Sequence, residues 1–341
     1  MRKLLSFIIS LAVLALGFRF AVDSPSDGLK HGKSDGTDEK IEEVSEFSVF
    51  LDSLQEMKTI RIPSTEEENG EDAAQDYRNV TMEWLFRVDY SVNAGIFAQT
   101  HIAEKDVIYL SEDALHCYAT GTVKDSMRVS DERYTLSSSD YCVYDVTFYS
   151  DEENEMLRYN KFSVNNSARE NAESSYYILS VPGDYMGKWL RYDKAFSEQH
   201  FEELGFEGIS SMTDAFNADF EKLDYCGNYF LAHKDDGFQK RGNRYELRSA
   251  FVEDFLGGFP GFPDGYDPSD GKITIDLSDA SSPELQIELN DPTCSFSLTV
   301  RFYNINNTEA GKLEFEDDAP TMSEMYENMI VKEYSSKKSD D

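Results

Sequence analysis

The chain has 341 residues, 40% hydrophobic and 13% aromatic, enough to bury a sizeable core as one large β-rich domain or two small ones. Its 66 acidic against 32 basic residues give a formal net charge of -34. That field repels nucleic acid and anionic lipid headgroups and argues against both as partners. It fits the solubilising surface of an exported protein, or a face for cations or a basic partner.

Met1-Arg2-Lys3 followed by the apolar run Leu4 to Phe18 has the layout of an export signal over residues 1–22. Small residues place a cut after Gly17, with Ala21 as a second site. The apolar run is shorter than the roughly 20 residues of a spanning helix. If left uncleaved, it is the one expected membrane contact. The reading places the rest of the chain outside the cytoplasm, secreted or at the cell surface. Residues 23–40 are almost devoid of apolar side chains and read as a disordered tether. A single β-rich domain is expected over 41–334, with a helical insert near 197–224 and a frayed tail over 335–341.

Val44, Phe47, Phe50, Leu51 and Leu54 fall at helical intervals and predict a short amphipathic helix over Ile41–Leu54. Glu66–Asp72 is a charged loop. From Trp84 the period changes to two. Trp84, Phe86, Val88, Tyr90 and Val92 share one parity, against Arg87, Asp89 and Ser91. Cys142, Tyr144, Val146 and Phe148 repeat the pattern against Asp145 and Thr147. Further strands are expected at Asp106–Ser111, Leu115–Thr122, Asp140–Ser150, Glu155–Val164, Ser175–Val181 and Gly187–Tyr192, with a polar loop between Thr122 and Asp140.

Phe201, Leu204, Met212, Phe216, Phe220 and Leu223 then step by threes and fours, predicting helices over Ser197–Leu204 and Met212–Leu223 that cover one face of the sheet. Strands resume at Tyr225–Ala232 and Phe238–Arg241, across a turn at Asp235-Asp236-Gly237. Gly257 to Pro268 is too rich in Gly and Pro for a regular element. The cleanest alternation follows, in Ile273–Leu277, Leu285–Leu289 and Phe296–Phe302. A short strand around Leu313 and Phe315 and a helix over Met322–Tyr334 complete the expectation.

Cys117, Cys142, Cys226 and Cys294 permit two disulfides in an exported chain. Cys117–Cys142 is favoured, because both lie on strands close in sequence, and Cys226–Cys294 is the remainder. The alternative is four small buried thiols. No cysteine or histidine spacing matches a zinc site. No nucleophile elbow, phosphate loop or dinucleotide fingerprint is present. No cofactor is implied. Asp264, Asp267 and Asp270 form the best cation candidate, for a hard ion such as Ca²⁺, although their spacing is not that of a helix–loop–helix calcium site. Asn79-Val80-Thr81, Asn165-Asn166-Ser167 and Asn306-Asn307-Thr308 match the glycosylation pattern.

The order of signal, helix, amphipathic strands, helical insert and second strand run is similar to the lipoprotein-carrier-like half-barrel families. Val107-Ile108-Tyr109-Leu110 resembles their displayed strand. Gly187-Lys188-Trp189 and Phe302-Tyr303-Asn304-Ile305-Asn306 fit as well. The resemblance spans Ile41 to Glu316. It implies a curved antiparallel sheet around helices, with an apolar hollow for acyl chains. This chain lacks the lipid-attachment cysteine of many members and is far more acidic.

The fold expected is therefore α+β: a large curved antiparallel β-sheet, half-barrel-like, with helices packed on one face. The leading function is an exported non-enzymatic binding protein for an apolar, lipid-like ligand or a cell-envelope partner, lined by Trp84, Phe86, Val88, Tyr144, Val146 and Phe148. A structural or adhesive surface domain with a solid core is the alternative. A hydrolase with a scattered site stands third.

Overall fold

The computed structural model describes residues 46–56, 79–93, 96–111, 113–130, 135–170, 173–192, 212–260, 270–279, 281–290, 294–305 and 307–337. The signal, the tether, the charged loop Glu66–Asp72 and the helix predicted at Ser197–Leu204 lie outside the described residues.

Alternation of apolar and polar side chains builds a long meander: β1 (Val80–Asn93), β2 (Ile96–Leu110), β3 (Leu115–Ser130), β4 (Thr135–Ser150), β5 (Glu155–Glu170) and β6 (Glu173–Ser180), each antiparallel to the next. The other edge of β1 pairs with β12 (Cys294–Tyr303), Trp84 opposite Val300 and Phe86 opposite Leu298. That ladder joins the two strand runs into one sheet. Beyond β12 lie β11 (Glu284–Asn290), β10 (Gly271–Asp276), β9 (Arg244–Leu247) and β8 (Phe238–Arg241). At the opposite end β13 (Ile330–Lys337) pairs with β6, and β7 (Trp189–Arg191) pairs with β5. The described strands form one 13-stranded antiparallel sheet that does not close on itself.

Among the described residues four helices accompany it: α1 (Glu46–Glu56), α2 (Met212–Ala232), α3 (Ser249–Gly258) and α4 (Met322–Glu327). Phe47 of α1 stacks on Tyr245 of β9 at 3.9 Å, and Phe50 meets Phe302 of β12 edge-on at 5.7 Å. Phe230 of α2 stacks on Phe255 of α3 at 5.2 Å. The Tyr225 hydroxyl donates to the Phe255 carbonyl at 2.7 Å. A capping box at Thr321 and Glu324 starts α4.

A bulge opposite Asp145 and Val146 shifts the phase of β5. Leu157 and Tyr159 before it and Phe162 and Val164 after it all pair with inward residues of β4. Asn160, the extra residue, donates to Asp145 Oδ1 at 2.8 Å and to Thr147 Oγ1 at 3.0 Å.

The strands pass through three environments along their length. In the central rows, inward side chains are buried and outward ones are wet. Outside, Arg301 bridges Glu83 and Glu284, and Lys105 also pairs with Glu83. Near the turns at 111–114 and 151–154 both faces are dry, because residues 307–321 run back over the outer face. There Leu313 N donates to Tyr149 Oη at 3.0 Å, Arg191 N to the Pro320 carbonyl at 2.8 Å, and Ser111 Oγ to the Ala310 carbonyl at 2.8 Å. Toward the far tips the sheet is a single polar layer: Met127, Arg128, Ser139, Ser175 and Tyr176 are all exposed.

Several expectations are corrected. The polar stretch between Thr122 and Asp140 is not a loop: β3 and β4 extend through Ser130 and from Thr135, because pairing with neighbouring strands replaces the missing apolar alternation. Tyr225–Ala232 is not a strand but the second half of α2, with Phe220, Leu223, Cys226 and Phe230 continuing one buried helical stripe. Leu313 and Phe315 lie in irregular backbone that follows the sheet surface. Of Met322–Tyr334 only the first turns are helical, and the rest is β13, extending into the expected tail. α3 went unpredicted, although Val252, Phe255 and Leu256 are its buried face.

The favoured Cys117–Cys142 disulfide does not form. Cys117 lies opposite Phe148 and Cys142 opposite Val123. At ~3.4 Å per residue the two cysteines are roughly 20 Å apart along the ladder, far beyond the reach of a disulfide. Cys117, Cys142 and Cys226 are buried free thiols. With Cys226 free, the remaining pair Cys226–Cys294 is not formed either.

Candidate functional site

The inward face of the meander is nearly all apolar, so its exceptions carry the information. The six residues singled out by parity all point inward. Trp84, Val88, Tyr144, Val146 and Phe148 are buried, while Phe86 is half-buried and meets Phe296 edge-on at 5.6 Å. They form two banks, on β1 and β4, with β2 and β3 between them.

The middle strands supply what the sequence reading missed. Glu104 and Asp106 stand on the inward parity of β2, in phase with Ile102 and Ile108, and are only 6% and 8% exposed. Their flanking neighbours are apolar or small. Glu104 lies between Phe86 of β1 and Gly121 of β3, and Asp106 between Trp84 and Ala119. The two acids follow each other on one face, about 7 Å apart at the backbone by strand geometry. On β1–β5 and β10–β12 no inward-facing position is Lys, Arg or His. Holding an ionised carboxylate in such surroundings costs several kcal/mol, on the order of a large part of a domain's net stability, unless a cation, proton or hydrogen bonds compensate.

Gly121 is a structural requirement of this cluster. Its register partner on β4 is Tyr144. The phenol lies across the glycine, and a Cβ at 121 would sit 2.1 Å from Tyr144 Oη. The hydroxyl thus crosses β3 toward Glu104. Burial first, and then the negative charges of Glu104 and Asp106, push it well above the usual tyrosine range, so it remains protonated. Directly opposite Asp106, the indole of Trp84 buries its Nε1–H with no hydrogen-bond partner among the described residues. Tyr144 Oη likewise makes no hydrogen bond of ordinary geometry. Two acids and two donors therefore form a polar island in a dry wall.

The signal was present in the sequence. Ile102, Ile108 and Leu110 fix the phase of β2 and carry Glu104 and Asp106 inward. A strand expected only from Asp106 onward does not carry that phase back to Glu104.

The other candidates assemble nothing. Asp264 and Asp267 lie outside the described residues and Asp270 is exposed. Among the described residues no three His, Cys, Asp or Glu side chains gather as a metal site would need. Burial pushes the Cys142 thiol up to about 12, which keeps it protonated and unreactive. On the outer half of the same face Asp125 and Asp140 lie opposite each other, with Thr100 Oγ1 donating to Asp125 at 3.0 Å and Asn166 donating to Asp140.

No protein-family model matches the chain, and no curated protein matches it. None of the described helices is long and apolar enough to cross a membrane.

Proposed function

We propose that this is an exported, non-enzymatic binding protein that holds an apolar ligand against the inward face of its sheet. In this reading the sheet curves as a half-barrel with the helices over its concave side, as in the lipoprotein-carrier-like families it resembles. Binding gains about 25 cal/mol for each Å² of apolar ligand surface withdrawn from water. One observation carries the reading. Glu104, Asp106, Trp84 and Tyr144 place polar groups where a core selected for stability alone would have apolar ones.

The test is equilibrium binding of an apolar fluorescent probe to the folded protein. Phe86, half-buried at the rim of the two acid-bearing rows, is the residue to change. Phe86→Asp is expected to abolish probe binding while circular dichroism retains the β-sheet signal. A folded wild-type protein that binds no probe overturns the proposal.

A structural or adhesive domain with a solid interior is the second reading. It is favoured by the burial of Trp84, Val88, Tyr144, Val146 and Phe148, each under a tenth exposed. In that case Phe86→Asp unfolds the chain and the wild-type protein takes up no probe.

A further inference from the structure

The two ends of the sheet are finished differently. At one end β8 is four residues long, and Gln239, Lys240 and Arg241 are all exposed. Short length and positive charge are the usual guards against pairing with a further strand. At the other end β13 runs for eight residues without proline, glycine or bulge. Among the described residues only β6 pairs with it. Of the eight large apolar side chains exposed among the described residues, Tyr176, Ile330 and Tyr334 lie on these last two strands, all on one face.

Tyr176 and Tyr334 are register partners, and their rings stack at 4.5 Å with 7° between the planes. That separation is close to the ~4.8 Å between neighbouring strands, so the stack runs in the direction in which strands add. Tyr334, 47% exposed, ends it. A second β13, antiparallel to the first about a two-fold axis between the two copies of Tyr334, carries its own Tyr334 to the next place in the stack. A two-fold perpendicular to the sheet leaves the ring planes parallel. The same register sets Lys332 opposite Ser336 and Glu333 opposite Ser335, so like charges do not directly oppose each other. The net charge of -34 resists self-association of the chain as a whole. The edge escapes it, because β6 and β13 carry Lys332 and Lys337 against Glu173 and Glu333.

We propose that β13 pairs with β13 of a second copy of this chain, joining two sheets edge to edge in a symmetric dimer centred on Tyr334. A closed two-fold contact stops at two copies. The association does not depend on a ligand in the interior.

Sedimentation equilibrium of the full chain is expected to show monomer and dimer, with more dimer at higher salt, because salt screens the repulsion between two acidic copies. Tyr334→Lys sets two ammonium groups face to face across the axis. It is expected to raise the dimer Kd at least about tenfold, while circular dichroism retains the sheet. The register is read by oxidising an equimolar mixture of Glu333→Cys and Ser335→Cys, with the wild type oxidised in parallel. Positions 333 and 335 of opposite copies face each other within reach of a disulfide, whereas either position lies diagonal to its own counterpart. The mixture is expected to yield a cross-linked species containing both variants, and each variant alone far less.

A chain that stays monomeric up to about 0.5 mM, well into the range of weak association, overturns the proposal. So does a dimer that Tyr334→Lys leaves unchanged, or a mixture that cross-links no better than its components. If Tyr334→Lys fails to fold, the cross-link alone decides.

Discussion

Gly121 and Tyr144 are register partners on β3 and β4, and the tyrosine ring occupies the space that a side chain at 121 would need. A Cβ there would lie 2.1 Å from Oη and 2.3 Å from the ring carbon bearing it. Gly121→Ala is therefore expected to lower stability by about 1–3 kcal/mol, the usual cost of overpacking a core. The loss should nearly vanish when Tyr144→Ala is also present, because the clash is then removed. Chemical denaturation of the four proteins in this cycle measures the coupling. Additive losses would mean that the two positions do not compete for the same space.

The thiols give a second expectation. Cys117, Cys142 and Cys226 are buried and outside any disulfide. A thiol-specific reagent should leave all three unmodified in the native protein and modify all three in denaturant without reductant. Mass spectrometry of the alkylated peptides reads both states. A Cys117–Cys142 disulfide would protect both from alkylation in unreduced, denatured protein.

How much of this was legible follows from what each signal depends on. Parity alone found the inward faces of β1, β4, β10, β11 and β12, since Trp84, Tyr144, Ile273, Leu285 and Phe296 sit in strands with one dry and one wet side. Parity failed where both sides share a medium. The serine-rich ends of β3 and β4 are wet on both faces, so Ser137-Ser138-Ser139 reads as a loop although pairing makes it strand. Tyr229 and Phe230 have high strand propensity, yet packing on Phe255 holds them in a helix. β13 resembled a continuation of α4 because its partner, β6, lies far away in sequence. The polar island is half visible: Trp84 and Tyr144 stand out in the sequence for their apolar bulk. Their hydrogen-bonding atoms matter only once β2 and β3 are known to separate them.

Acid titration should divide two aspartates with opposite signs. At Asp151 burial disfavours the charge. Hydrogen bonds from the Tyr149 hydroxyl and from the backbone N–H groups of Glu153 and Asn154 outweigh it and hold the carboxyl below its ordinary value of 3.8. A depressed acid contributes stability that is present above the unfolded value and lost as pH falls through the folded one. Asp151→Asn is thus expected to cost about 1.5–3 kcal/mol at neutral pH, with a smaller cost below pH ~3.8. Asp140 behaves the other way. Burial, with the charge of Asp125 adding to it against the hydrogen bond from Asn166, raises it above 3.8. Its ionised form is a cost above the raised value, relieved as pH falls through it. Asp140→Asn should then stabilise the neutral-pH protein by roughly 0.2–1 kcal/mol, the scale of a like-charged cross-strand pair, and give no gain in acid. Denaturation midpoints at pH 7 and pH 3 check both signs. A stabilising Asp151→Asn, or a destabilising Asp140→Asn at pH 7, would contradict the assignments.

The last prediction concerns what the buried acids cost the empty protein. Glu104 and Asp106 lie among Phe86, Trp84, Ala119 and Gly121, and none of these offers a positive charge. Burial in an apolar wall disfavours their ionised forms. The isosteric changes Glu104→Gln and Asp106→Asn keep size and hydrogen-bonding capacity and delete the charge. They are expected to raise the midpoint of urea unfolding in the ligand-free protein, each by about 1 kcal/mol, as neutral replacements at functional sites commonly do. Glu104→Gln tests the point most directly, because Tyr144 Oη still has an amide oxygen to meet. Were these carboxylates a structural requirement of the sheet, both substitutions would lower the midpoint instead, as breaking a satisfied buried charge does by about 3–5 kcal/mol. The sign of a single unfolding curve therefore separates a core that needs these charges from one that merely tolerates them.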